Sequence, residues 1–189
     1  MHKQRLEAFS DAVVAILITI MVLELRVPSG GDWPALRMLG PTFCAYVLSF
    51  IYLGIYWNNH HHLLHVVDRV TGGMLWANLH LLFWLSLVPF ATNWMGEHPR
   101  DALPTAVYGG VLLCSAVAYQ ILVQVIIHAQ GEQSKLKAAV GRDAKGYASL
   151  AIYLTSIAVT LVRHEIAWAG FVLVALIWLV PDKRIERVL

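Results

Sequence analysis

The chain is 189 residues long, 58% hydrophobic and only 14% charged, with a mean hydropathy of +0.62. That composition excludes an ordinary soluble domain and points to an integral membrane protein. A formal charge of +2 is too small and too scattered to serve a nucleic-acid partner, and the two cysteines, Cys44 and Cys114, fall inside apolar runs, where they read as small packing residues and not as a disulfide or metal pair.

A membrane-spanning helix needs about 20 apolar residues, and six runs approach that: Phe9 to Val27, Pro41 to about Leu64, Gly73 to Met95, Leu103 to His128, Tyr147 to Val162 and Ile166 to Val180. The N-terminal stretch that leads into the first run carries Glu7 and Asp11 and has no small-residue cleavage site before Pro28, so it reads as a retained span and not as a signal peptide. The last two are short and are separated by Arg163-His164-Glu165. They read as a helical hairpin, because three consecutive ionisable residues in the middle of one long span would be very costly. The predicted architecture is all-α, a six-helix transmembrane bundle forming one domain over residues 1–189.

An even number of spans puts both termini on one side, and the cations decide which. Lys3, Arg5, Arg69, Lys135, Lys137, Arg142, Lys145, Lys183, Arg184 and Arg187 fall on the side of the termini, against Arg26, Arg37, Arg100 and Arg163 on the other. The expected topology is therefore a chain that crosses the membrane several times with cytoplasmic termini. Trp33, Trp94 and Trp168 then mark the outer boundary, and Trp57, Trp76 and Trp178 the inner one. Gln130 to Gly146 reads as a solvated, partly helical cytoplasmic loop.

The first span carries the densest pattern. Arg5 and Asp11 stand six residues apart, within two helical turns, where they are expected to neutralise one another before the helix enters hydrocarbon. Beyond them Ile16, Ile20 and Leu23 recur at i, i+4 and i+7 with Thr19 beside them, one apolar stripe with a hydroxyl. Around a symmetry axis such a stripe makes hydrophobic rings able to gate by dewetting, with a Thr19 hydroxyl ring between them. Six short helices leave little room for a conduction path inside one subunit, so the pore is expected between subunits. Glu24 and Arg26 end the helix, where Pro28 and Gly30-Gly31 break it, and Glu24 is placed at the pore mouth to concentrate cations.

Polar residues on the next two spans lie at the same depth as Ser10. His60, at the end of span two, and Asn78, in span three, need partners that lipid does not offer. They are expected to join Arg5, Ser10 and Asp11 in one cluster that fixes the rotation of the first helix. His60, His61, His62 and His65 also invite a metal reading, since His61 and His65 share a helical face, but no third ligand or HExxH glutamate accompanies them, and the chain is read as holding no metal. No nucleophile with its base and no nucleotide-binding glycine pattern is present, which argues against an enzyme.

The set Arg5-x-x-x-Phe9-Ser10-Asp11, the following run Ile16 to Glu24, Trp57-x-x-His60, and Asn78-Leu79 with Leu87-x-Pro89-Phe90 resembles the prokaryotic members of the transmembrane protein 175 family, described as potassium-permeable channels. The resemblance implies a homotetramer of six-helix subunits in the lipid bilayer, with the first helix lining a pore for monovalent cations and no cofactor beyond the permeant potassium ions. It matches Ile16 to the family's apolar constriction, Ile20 and Leu23 to further rings and Thr19 to the neighbouring threonine. Arg5, Phe9, Ser10 and Asp11 match its signature. The alternative left by the residues themselves is a proton-coupled or metal ion transporter built on Asp11 and the His60 to His65 cluster. A scaffold bundle that conducts nothing is the third possibility.

Overall fold

With no water in hydrocarbon to satisfy backbone polar groups, a chain this apolar must close its hydrogen bonds within helices. The computed structural model describes residues 3–67, 69–131, 134, 136–137 and 143–179, and all of its long elements are helical. They are α1 (Lys3–Leu23), α2 (Trp33–Met38), α3 (Gly40–His65), α4 (Gly72–Ser86), α5 (Val88–Glu97), α6 (Ala102–Gln130), α7 (Ala144–Val159) and α8 (His164–Leu179).

The boundaries follow local chemistry. α1 starts six residues before the apolar run because Lys3, Gln4, Arg5 and Glu7 are good helix formers. It stops at Leu23, short of the expected Val27, as the chain approaches Pro28. The short α2 was not expected from hydropathy. Asp32 caps it, its carboxylate accepting from Ala35 N at 3.1 Å, and a proline sits in its first turn. The third run is one span in length, residues 72–97, but breaks at Leu87 because Pro89 has no N–H to give the preceding turn. The last two runs are separate helices, as expected. The chain turns after Val159, whose carbonyl accepts from both Val162 N (2.9 Å) and Arg163 N (2.8 Å).

Among the described residues four segments are long and apolar enough to cross a membrane: Lys3–Leu23, Gly40–His65, Gly72–Glu97 and Ala102–Gln130. Within the described residues α7 and α8 have 16 residues each, and at about 1.5 Å per residue those stretches reach about 24 Å, less than the hydrocarbon core. Two contacts set the alternation of directions. Lys3 Nζ and Gln130 Nε2 reach the carbonyls of His65 and Val66, bringing the start of α1 and the ends of α3 and α6 together. At the opposite end Arg26 pairs with Glu97 at 3.3 Å. Of the cations counted for orientation, Lys135, Arg142, Lys183, Arg184 and Arg187 lie outside the described residues, as does Val180 at the end of the last run.

α1 packs against α3, α4 and α5, whereas α6, α7 and α8 close the far side of the bundle. The centre is aromatic: Tyr108 and Phe171 meet edge to face at 5.4 Å, Tyr52 donates to Phe171 O at 2.6 Å, and Ser49 links the hydroxyls of Tyr108 (3.0 Å) and Thr92 (2.7 Å). Among the described residues no fully enclosed side-chain nitrogen or oxygen lacks a hydrogen-bond partner. Small residues let the helices approach, as is usual without a hydrophobic drive between them. A Cβ on Gly96 would lie 2.7 Å from the Thr42 backbone, and one on Gly109 2.8 Å from Phe171.

That packing gives a paired expectation for melting in detergent. Gly96→Ala forces α5 away from the α3 backbone and costs about 1–3 kcal/mol. Gly54→Ala, where an added Cβ meets nothing within 4 Å, is neutral or gains up to about 1 kcal/mol of helix propensity.

Candidate functional site

α1 shows two faces. Leu6, Ser10, Val14, Leu17 and Met21 are buried against the bundle, at the four- and three-residue steps of one helical stripe. The other face carries Phe9 (49% exposed), Ile16 (55%), Ile20 (39%) and Leu23 (82%), with Thr19 exposed among them. The apolar stripe expected from periodicity is thus turned away from its own subunit. The Thr19 hydroxyl donates to Ile16 O at 2.8 Å, which leaves its oxygen lone pairs free on the exposed side.

A row of three buried polar side chains holds that rotation. His60 Nε2 lies 2.7 Å from Asn78 Oδ1, and since an amide oxygen only accepts, the imidazole donates. Asn78 Nδ2 donates to Ser10 Oγ at 3.0 Å, and the Ser10 hydroxyl in turn donates to Leu6 O at 2.9 Å. His60, Asn78 and Ser10 are 6%, 0% and 1% exposed. The row spans three helices and closes on the backbone of α1, so each member is satisfied only if α1 presents Ser10 inward.

The sequence reading placed five residues in one cluster, and the structure corrects this. Asp11 belongs to a second link, accepting from Trp57 Nε1 at 2.9 Å nearer the surface, and Arg5 is exposed and joins neither link among the described residues. Nor do Arg5 and Asp11 pair with each other. Six residues advance a helix by one and two-thirds turns, leaving the two on different faces, and only i+3 and i+4 neighbours meet. Trp57 was read as an inner-boundary aromatic and as part of the motif that positions the first helix, without a named partner, and an indole N–H in a partly apolar setting usually finds an acceptor.

The histidines at the end of α3 form a separate group. His61 stacks edge-on to His62 at 5.6 Å and lies 6.3 Å from the ring of His65. Among the described residues no three His, Cys, Asp or Glu side chains gather to hold a metal ion, and none of these three imidazoles hydrogen-bonds Asp11. Cys44 and Cys114 are free thiols.

At the other end of α1, helical phase brings Glu24 back in line with the buried Leu17 rather than with Leu23. It is half-buried in a crevice with Thr42, Tyr46, Thr92 and Asn93. Burial raises its carboxyl above the usual glutamate range, and the nearby Glu97 carboxylate raises it further.

Comparison with known proteins places this geometry. Residues 5–89 match the family model described as endosomal/lysosomal potassium channel TMEM175. A protein of Chryseobacterium sp. (strain P1-3) named as a potassium channel is 57% identical over 99% of this chain and 97% of its own. A Streptomyces collinus protein, also named as a potassium channel, is 40% identical over 62% of this chain and 61% of its own. The human endosomal/lysosomal proton channel TMEM175 is 32% identical over 64% of this chain, which covers 27% of that protein. The crystal structure of a lysosomal potassium-selective channel TMEM175 homolog from Chamaesiphon minutus superposes with a TM-score of 0.83 at 28% identity, covering 95% of this chain and 97% of that one. Near-complete coverage at 57% identity, with the matching fold, makes this chain a member of the TMEM175 family of ion channels.

Proposed function

We propose that this protein is a potassium-permeable cation channel in which four copies surround a central pore lined by the outward face of α1. The observation that carries the reading is that face itself. Ile16, Ile20, Leu23 and Thr19 are exposed on a helix whose opposite side is anchored by Ser10, Asn78 and His60. The potassium-channel names of the bacterial relatives and the channel structure with the same fold support it. In this arrangement Ile16, Ile20 and Leu23 form stacked apolar rings that dewet to close the path. Thr19 supplies a hydroxyl ring that replaces part of an ion's hydration. α7 and α8 complete a six-span subunit by crossing as a short hairpin in a locally thinned bilayer. Both termini lie in the cytoplasm and the channel sits in the inner (plasma) membrane; the excess of Lys and Arg on the side of the termini supports the orientation.

Flux through purified protein in liposomes tests this. A potassium gradient drives electrogenic potassium movement without proton exchange. Ile16→Asn or Leu23→Ala raises the rate several-fold by wetting or widening the constriction. Flux strictly coupled to protons, or unchanged rates in both variants, defeats the pore assignment and favours a transporter centred on Asp11.

The polar row predicts a coupling energy. In a double-mutant cycle of Ser10→Ala and Asn78→Leu, unfolding in detergent reports about 0.6–1.7 kcal/mol of interaction. The Asn78 variant also loses gated conduction, because α1 is free to rotate. Additive effects mean that the row does not hold the helix.

Glu24 gives a pH dependence with a definite sign. Its carboxyl titrates above the ordinary glutamate range because burial and then the Glu97 charge disfavour the ionised form, so the folded protein gains stability as pH falls through that range. Melting in detergent checks this: Glu24→Gln melts higher than the parent at neutral pH and shows a flatter pH profile.

A further inference from the structure

Between α3, α6, α7 and α8, on the side of the subunit away from α1, lies a cavity of about 480 Å³ lined by Tyr52, Tyr56, Tyr119, Tyr153, Asn59 and Trp178. Its walls are largely apolar, with Tyr56 and Asn59 among the polar side chains that line it. Those two side chains have no hydrogen-bond partner of their own among the described residues. The Tyr56 hydroxyl, on a residue 9% exposed, and the Asn59 carboxamide make no side-chain hydrogen bond among the described residues. The Asn59 carbonyl that accepts from Tyr119 belongs to the backbone. In a membrane protein such groups are costly unless something fills them.

The mouth is apolar, with Ile55, Ala116 and Leu150 on its walls, and it leads outward. Gln120 and Leu150 also line an open groove of about 1180 Å³ between α6 and α7, whose other walls include Val117, Ile121 and Val125. A chain lying in that groove reaches the cavity from the side of the bundle, past the seam of the two helices. The head it carries is uncharged. A cation is disfavoured because Lys145 already sits over the Trp178 ring at 6.0 Å, and an anion is disfavoured because the Asp143 carboxylate is bonded to Gln120 and Gly146 beside the entrance.

We propose that this cavity binds a neutral single-chain amphiphile, hydrogen-bonded through a hydroxyl or carbonyl head to Tyr56 and Asn59, and that occupancy modulates conduction. The route is one turn of α3. Tyr56 and Asn59 face the cavity, while Trp57 and His60, interleaved with them, hold α1 through Asp11 and through Asn78 and Ser10. A head group pulling on the first pair shifts the second. The modulatory half rests on the channel reading above, whereas the binding half does not.

The test uses the full chain in liposomes with 1-octanol as probe, a diazirine-bearing octanol for photolabelling and octane as the headless control. Adducts are expected on the segments that carry Tyr56, Asn59 and Tyr119, saturable and displaced by octanol but not by octane. Tyr56→Phe, which keeps the ring, weakens displacement roughly three- to tenfold, and Ala116→Phe, which fills the mouth, abolishes labelling. Scattered, non-saturable labelling of lipid-facing residues, unchanged in both variants, overturns the site. Octanol is expected to change potassium flux in the wild-type protein and not in Tyr56→Phe at the same dose. Site-specific labelling with flux indifferent to octanol overturns the modulation, and site-specific labelling with no flux at all leaves the site standing while the channel reading falls.

Discussion

Everything about α1 depends on the absence of water where Ser10 lies. In an aqueous protein a misrotated serine or asparagine finds solvent, and the error costs little. In hydrocarbon it finds nothing, so the row from His60 through Asn78 and Ser10 to Leu6 O is satisfied in one rotation of the helix. Apolar packing alone is a weak determinant here, because lipid tails are as good a neighbour for Val14 or Leu17 as another helix is. Three buried polar groups therefore set which residues of α1 are exposed, and a stripe of isoleucine and leucine becomes a defined surface.

The remainder of the bundle supplies the fixed frame against which that row is measured. Tyr52, Tyr108, Tyr153 and Phe171 interlock at its centre, and the Tyr52 and Tyr108 hydroxyls bond across helices rather than facing lipid. Close approaches at Gly96 and Gly109 keep α5 and α6 in register with their neighbours. α1 has no part in this aromatic centre. It is fastened along one side by the polar row, by Trp57 to Asp11 and by Lys3 to His65 O, an arrangement suited to a helix whose other side has work of its own.

The four long spans, the separation of the last two runs into α7 and α8, and the exposed stripe were legible, because hydropathy and the 3.6-residue period report directly on a membrane helix. Pairings were less so. Arg5 and Asp11 look like a local pair only if distance along the chain is counted and helical phase is not. Ser10, His60 and Asn78 were assembled correctly from depth, since lipid leaves polar residues few choices, but depth could not separate the Asp11–Trp57 link from the deeper row. α2 has a readable capping signal in Asp32-Trp33-Pro34, but at six residues it is too short for hydropathy to mark. The tyrosine-lined cavity was not legible at all. Its walls come from four helices far apart in sequence, and a tyrosine in an apolar run gives no sign of what its hydroxyl will meet.

In the proposed tetramer the same row has a consequence for permeation. A cation that meets Thr19 meets an oxygen whose proton is committed to Ile16 O, so the hydroxyl acts toward it as an acceptor. Four such oxygens replace only part of a hydration shell, far less than a cage of backbone carbonyls does. Discrimination among cations therefore stays modest, and control of current falls to the apolar rings. The width of those rings depends on how far Ile16 and Leu23 point toward the axis, which is a property of helix rotation and not of the side chains alone. Ion passage is thereby tied to Ser10, on the opposite face of the helix, and a gate of this kind opens by turning α1 against its own hydrogen bonds or by changing what α3 does at the other end of them.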